Sequence, residues 1–204
     1  MTTVTNNGIS DTAMVLAAGM GMRMRPLTLK TPKPLLEVGG HTMLDHALAK
    51  LKKVGVRRVV VNTFYLAEQI EQHLTKQNDL EIIISRETEL LDTGGGIKQA
   101  IKYFGELPFF ALNADLPWID DDVPTLLRMM KGWNSARMAA MLLLMPTNKA
   151  RGFGKSGDYM LDPDSHIWRR NAPVPRSHVM IGAQIVKPDL FRSVQEKVFS
   201  NNVI

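Results

Sequence analysis

Cysteine is absent from this chain of 204 residues, which removes disulfides, thiolate metal sites and a cysteine nucleophile from consideration. Aromatic residues make up only 6% of it. They are not interleaved with basic residues, so no nucleic-acid partner is expected. Long apolar runs are missing too. The most apolar stretch, ARMAAMLLLMP, is interrupted by Arg137, closed by Pro146 and too short to cross a bilayer, so no membrane partner is expected either. The opening MTTVTNNGISDT lacks a basic region leading into an apolar core and does not read as a secretory leader. Residues 1–11 read as a flexible tail, and the chain as a cytoplasmic protein.

What is present suits one soluble α/β domain over residues 12–204, with 45% apolar and 22% charged residues. A chain of this length buries about 70% of its unfolded surface. The net charge of +5 is dispersed except between Arg23 and Lys33, where it would suit a small anionic substrate. AMVLAAG, RRVVVNT, LEIIISRE and PFFALNAD read as strands. Between them HTMLDHALAKLKKVGV, LAEQIEQHLTKQ and GGIKQAIKYFG read as helices, the first with Met43, Leu44, Ala47, Leu48, Leu51 and Val54 on one stripe. DDVPTLLRMMKGW adds a helix, with Asp122 as the expected N-cap and Pro124 in its first turn. This alternation predicts a Rossmann-like, mostly parallel sheet with helices on both faces. Further on, Asp162-Pro163-Asp164-Ser165 marks a hairpin in the C-terminal half, SHVMIGAQIV a strand and KPDLFRSVQEK a closing helix.

The first strand leaves through Ala17-Ala18-Gly19-Met20-Gly21 and then meets Arg23, Arg25, Lys30 and Lys33, the last set between Pro32 and Pro34. Ligands of open parallel sheets bind beyond the carboxyl ends of the strands. There a glycine-rich backbone approaches phosphates closely and fixed cations neutralise them. Met24 stands where a dinucleotide fingerprint needs its third glycine, which disfavours a nicotinamide oxidoreductase, and the Walker G-K-S/T is absent. The prolines make the segment a stiff, extended arm rather than a helix start.

LAAGMGMRMRPLTLKTPKPLLEVGG resembles the signature of the sugar-1-phosphate nucleotidylyltransferases, L-A-G-G-x-G-x-R-L-x-P-L-T followed by P-K-P, with Ala18 in place of its second glycine. This variant is most similar to the N-acetylmuramate-1-phosphate uridylyltransferase and mannose-1-phosphate guanylyltransferase branches. The resemblance implies a Mg2+-dependent transfer between a nucleoside triphosphate, UTP first and GTP next, and a sugar 1-phosphate, with release of pyrophosphate. It assigns nucleotide binding to Leu16, Ala18, Gly19, Gly21, Met22, Arg23 and Lys33. In ETELLDTGGGIKQA it assigns Thr93, Gly94, Gly95 and Gly96 to the loop against the nucleobase. Asn113 would lie near the sugar or ribose, and Gly157 and Gly182 near the sugar, although these two also suit a bulge or turn. Asp115 would be the metal ligand and, with Arg23 and Lys33, the catalytic set. By spacing alone Asp115 serves equally as a helix cap ahead of Pro117. Asp120-Asp121-Asp122 reads as a solvated helix start, and the five histidines show no ligand spacing.

The family pattern implies a further segment carrying a second metal-binding aspartate, in a W-x-D/H-x-G-T-P context. That pattern is absent up to Ile204, so this chain is expected to lack the segment. A nucleotide-binding or regulatory homologue with reduced turnover therefore stays open beside the enzyme. The closing segment is a candidate interface for a homo-oligomer.

Overall fold

The protein is seen in a computed structural model that describes residues 8–115, 117–150, 157–164, 166–168 and 177–200. In chain order the elements are β1 (Thr12–Leu16), a small hairpin of β2 (Glu37–Val38) and β3 (His41–Thr42), α1 (Met43–Lys53), β4 (Arg58–Thr63), α2 (Ala67–Leu74), β5 (Glu81–Arg86), α3 (Asp92–Ala100), β6 (Phe109–Asn113), α4 (Thr125–Gly132), β7 (Ala140–Pro146), β8 (Met160–Leu161), β9 (Ile167–Trp168), β10 (His178–Val186) and α5 (Asp189–Arg192). The main sheet has the order β5-β4-β1-β6-β10-β7. Its first four strands are parallel, and β10 is antiparallel to both β6 and β7. The expected mostly parallel α/β sheet is thus the observed architecture.

Strand period explains the two cores. Successive side chains point to opposite faces, so Ala13, Val15, Val59, Val61, Phe110 and Leu112 pack against α1, α2 and α4. Met14, Val60, Phe109 and Ala111 pack with Ile97 and Ala100 of α3 and Phe191 of α5 on the other side. Phe104 stacks on Phe109 at 3.9 Å between ring centres. Thr42 caps α1 by accepting the Asp45 N–H at 3.1 Å, and its hydroxyl donates to the Asp45 carboxylate at 2.7 Å.

Several local expectations are corrected. The tail is shorter than expected on its inner side: Ile9 is fully buried and the Ser10 N–H donates to Pro108 O at 2.7 Å, because the edge of the first core lies there. The arm after β1 is not extended but folds into single 3-10 turns at Met22–Met24, Leu27–Leu29 and Lys33–Leu35. Pro26 and Pro32, at the N-caps of the second and third turns, start them without needing an N–H. Gly94, Gly95 and Gly96 lie inside α3 rather than before it. Asp122 is exposed and caps nothing. Pro124 occupies the N-cap of α4, and Asp120 accepts the Thr125 N–H at 3.0 Å. Asp120 is also not merely solvated, since Lys50 at 2.8 Å and Trp118 at 2.9 Å both donate to it. The closing helix is one turn long, and residues 193–200 continue as an irregular strap beside α3. The hairpin is present as β8 paired with β9; Ser165 of its turn lies outside the described residues.

Candidate nucleotide site

Strand order reverses beside β1, because the crossovers from β1 through β4 to β5 build one way and β6 returns to the other flank. The crevice at the carboxyl ends of β1 and β6 is therefore where this fold opens for a ligand. Register aligns it: Leu16 pairs with Asn62 of β4 on one side and Asn113 of β6 on the other. A cavity of about 510 Å³ sits on this row, within the size range of small-molecule sites. Its wall is made by residues 16–19 and Gly21, by Lys33 and Pro34, by Asn62, by Leu90, Asp92 and Thr93, by Asn113 and Asp115, and by Val198 of the strap.

The loop is held in this shape by its small residues. Gly21 has φ +61°, and a side chain there would come within 2.9 Å of Thr28 Cγ2, whose hydroxyl already donates to Gly21 O at 2.8 Å. A Cβ on Gly19 would meet nothing within 4 Å, so this backbone faces open space. Across the crevice Lys33 Nζ donates to Asp115 Oδ2 at 2.6 Å, with the two side chains 18% and 34% exposed. A loop 82 positions earlier in the chain thus meets the end of β6.

Of the residues expected in the site, Leu16, Ala18, Gly19, Gly21, Lys33, Thr93, Asn113 and Asp115 line this cavity. Arg23 and Met22 are exposed on the first 3-10 turn, outside its wall. Gly157 is buried ahead of β8, and Gly182, at φ +81°, sits at the bulge where β10 shifts register against β7; neither lines the cavity. The triple glycine does mark a close backbone approach, but from the chain itself. The amides of Gly94 and Gly95 both donate to Phe199 O, at 2.9 and 3.0 Å, and a Cβ on Gly95 would lie 2.3 Å from Lys197 O. Those two amides are occupied by the strap rather than turned to the cavity. Ala17, Pro34, Asn62, Leu90, Asp92 and Val198 were not anticipated. An asparagine ending an otherwise β-branched strand at the ligand edge was the available signal for Asn62.

The family resemblance implies a divalent metal, and the residues present bear on it directly. Asp115 lines the cavity with the glycine loop and Lys33, Asp92 lines it beside Thr93, and among the described residues no three His, Asp or Glu side chains form a cluster that would hold an ion. Magnesium commonly takes one or two protein carboxylates and completes its shell with phosphates and water. A partly exposed Asp115 on the wall of this cavity fits that role.

A glycine-rich turn, a fixed lysine and one carboxylate converging at the switch point of a doubly wound sheet define an α/β nucleotide-binding protein. Comparison with known proteins narrows this class. Residues 12–157 match the nucleotidyl transferase family, and the chain belongs to it. It is 38% identical over 193 residues to an N-acetylmuramate α-1-phosphate uridylyltransferase of Caulobacter vibrioides, covering 92% of this chain and 80% of the relative. It is 34% identical to the protein of the same name from Neisseria meningitidis, covering 90% and 78%. Among solved structures, HddC from Yersinia pseudotuberculosis superposes with a TM-score of 0.75 at 23% identity, over 94% of this chain and 83% of that one. A UDP-glucose pyrophosphorylase complexed with UDP-glucose gives 0.73 at 19% identity, over 88% and 77%. These two show the fold.

Proposed function

We propose that this nucleotidyltransferase joins a sugar 1-phosphate to a nucleoside triphosphate with release of pyrophosphate, and that UTP and N-acetylmuramate 1-phosphate are its pair. The observation that carries the site is the Lys33–Asp115 contact beneath the glycine loop at the β1/β6 switch point. Similarity over most of the chain to two uridylyltransferases supports the choice of substrates, with GTP and mannose 1-phosphate as the next pair to examine.

The attacking group is a phosphate oxygen that is already anionic, so no side chain need remove a proton. The sugar phosphate oxygen forms a bond to the α-phosphorus, the bond to the β-phosphate breaks, and pyrophosphate leaves with the electron pair. Catalysis then consists of aligning two repelling anions and offsetting the charge that builds at the α-phosphorus. Backbone amides of residues 18–21 receive the nucleotide phosphates. Lys33 exchanges its contact with Asp115 for the α-phosphate or the sugar phosphate, and Arg23 serves the departing β- and γ-phosphates. Asp115 is the side chain that would hold Mg2+, which when bound neutralises phosphate charge. Thr93, Leu90 and Asp92 border the base, and Asn113 the sugar.

The test is pyrophosphate release with Mg2+, crossing UTP, GTP, CTP and dTTP against N-acetylmuramate 1-phosphate, mannose 1-phosphate and glucose 1-phosphate. Release confined to UTP with N-acetylmuramate 1-phosphate is expected. Release with another pair would correct the substrates. Nucleotide binding without release from any pair would replace the enzyme reading with a binding homologue.

A further inference from the structure

Asn62 and Glu87 are among the few buried polar side chains of the protein, 2% and 4% exposed, and they form one chain of hydrogen bonds. The Ala17 N–H donates to Asn62 Oδ1 at 2.8 Å. A backbone N–H can only donate, so the oxygen of this amide must face it and the nitrogen must face away. Asn62 Nδ2 accordingly donates to Glu87 Oε1 at 2.7 Å, and Glu87 Oε2 accepts the Leu91 N–H at 3.1 Å. Every link has one donor and one acceptor, and the two ends differ in sequence by 74 positions. Gly96 lies flat against the centre of this chain: a Cβ there would come within 2.6 Å of Asn62 Nδ2 and 2.8 Å of Glu87 Oε1.

The ends of this chain lie in two loops that both line the cavity. Ala17 opens the glycine turn, and Leu91 sits between Leu90 and Asp92. We propose that Asn62 and Glu87 are positioning residues, a buried clamp that sets the distance between the phosphate loop and the nucleobase loop and so governs nucleotide affinity rather than sugar phosphate affinity. The proposal rests on the transferase reading for its kinetics, but its physical content is the polarity of the chain of bonds. Both carboxylate oxygens accept, which is the pattern of an ionised group. Burial pushes the Glu87 carboxyl up from its ordinary value, the bonds from Asn62 and Leu91 oppose that, and the nearby Asp92 carboxylate adds to the rise. The clamp is thus built at a cost that a merely space-filling pair would avoid.

Polarity makes the test selective. Glu87→Gln puts an amide nitrogen where only acceptors fit, so one link is lost whichever way that amide turns. Asn62→Asp sets two carboxylates face to face. In N62D/E87Q the amide and the carboxylate trade places, and every donor again meets an acceptor. For each variant, folding is followed by urea unfolding, nucleotide binding by calorimetry with UTP and Mg2+, and both KM values by pyrophosphate release. Each single variant is expected to weaken UTP binding and raise its KM by about tenfold or more. The KM for the sugar phosphate should stay within about twofold, and the double variant should recover most of the nucleotide affinity. Singles that bind UTP as the wild type does, a loss shared equally by both substrates, or a double variant no better than the singles would each overturn the clamp. Wild-type protein that binds UTP but releases no pyrophosphate would sink the transferase reading and leave the calorimetric arm to decide the clamp.

Discussion

The central parallel strands and the antiparallel flank belong to one sheet but do different work. β4, β1 and β6 are almost wholly buried, whereas β7 is half-exposed along its length. Parallel strands joined by crossovers carry helices on both faces and end at the same edge, so their loops converge. Leu16, Asn62 and Asn113 stand side by side for that reason. β10 runs the other way, and its carboxyl end leads away to α5. At the site edge it presents its amino-terminal part and the bulge at Gly182, with β8 joined to it through the Tyr159–His178 bridge. The candidate site thus lies at the edge of the parallel half, while the antiparallel half sends one strap, residues 193–200, back against α3, where Val198 joins the cavity wall.

The strongest way to break this comparison is to remove one cation from each half. Lys33→Ala is expected to lower kcat by about 10²–10³ with the urea midpoint nearly unchanged, a loss typical of deleting one donor to a developing charge. Lys187→Ala, which removes an ammonium that donates to Ser135 O at 2.7 Å, should leave kcat as it is. Steady-state pyrophosphate release on both variants decides it.

Next in size is the pair Gly96→Ala and Gly132→Ala. The first drives a methyl into the Asn62–Glu87 chain and should cost about 1–3 kcal/mol in urea unfolding. The second meets only Met141 Cε at 3.5 Å at the end of α4. There it should be neutral or stabilise by up to about 1 kcal/mol, since alanine is the better helix former.

Two carboxylates sharpen the contrast through pH. Burial tends to raise Asp120, but bonds from Lys50, Thr125 and Trp118 outweigh it and hold the carboxyl well below its ordinary value. Its contribution to stability is therefore present above the usual carboxylate range and lost as pH falls through its lowered pKa. Glu87 is shifted the other way, so its effect runs opposite: stability is greatest below the usual glutamate pKa and declines as pH rises through the raised one. Urea midpoints across pH should show the acid-side loss diminished in Asp120→Asn and the rise-side loss diminished in Glu87→Gln. The smallest effect belongs to Ile119, 96% exposed in the connection between β6 and α4. Ile119→Ser should change stability by no more than about 0.5 kcal/mol.

The parallel half was the more legible in the sequence. Its strands are short β-branched or apolar runs, and α1 carries a full apolar stripe, so local pattern and tertiary burial agree. The misreadings cluster where a distant partner decides. Pro124 and Asp120 displaced Asp122 at the start of α4 because Lys50 and Trp118 hold Asp120 in place. The closing helix stopped after one turn, and Lys98 Nζ reaches Val194 O at 2.6 Å in the strap that follows it. The triple glycine is filled by residues about a hundred positions later, which nothing local specifies.

By itself the sequence determined the fold class, the place of the ligand edge and the identity of Lys33 and Asp115 as candidates, because strand period, glycine and proline punctuation and residue chemistry are local properties. Only the tertiary structure decided that Lys33 reaches Asp115, that Phe199 takes the Gly94 and Gly95 amides, and that Asn62 and Glu87 tie two loops together. Such pairings join positions 25 to more than 100 residues apart. Their partners are selected by strand register and by the need to satisfy buried polar groups, neither of which is written in any short stretch of chain.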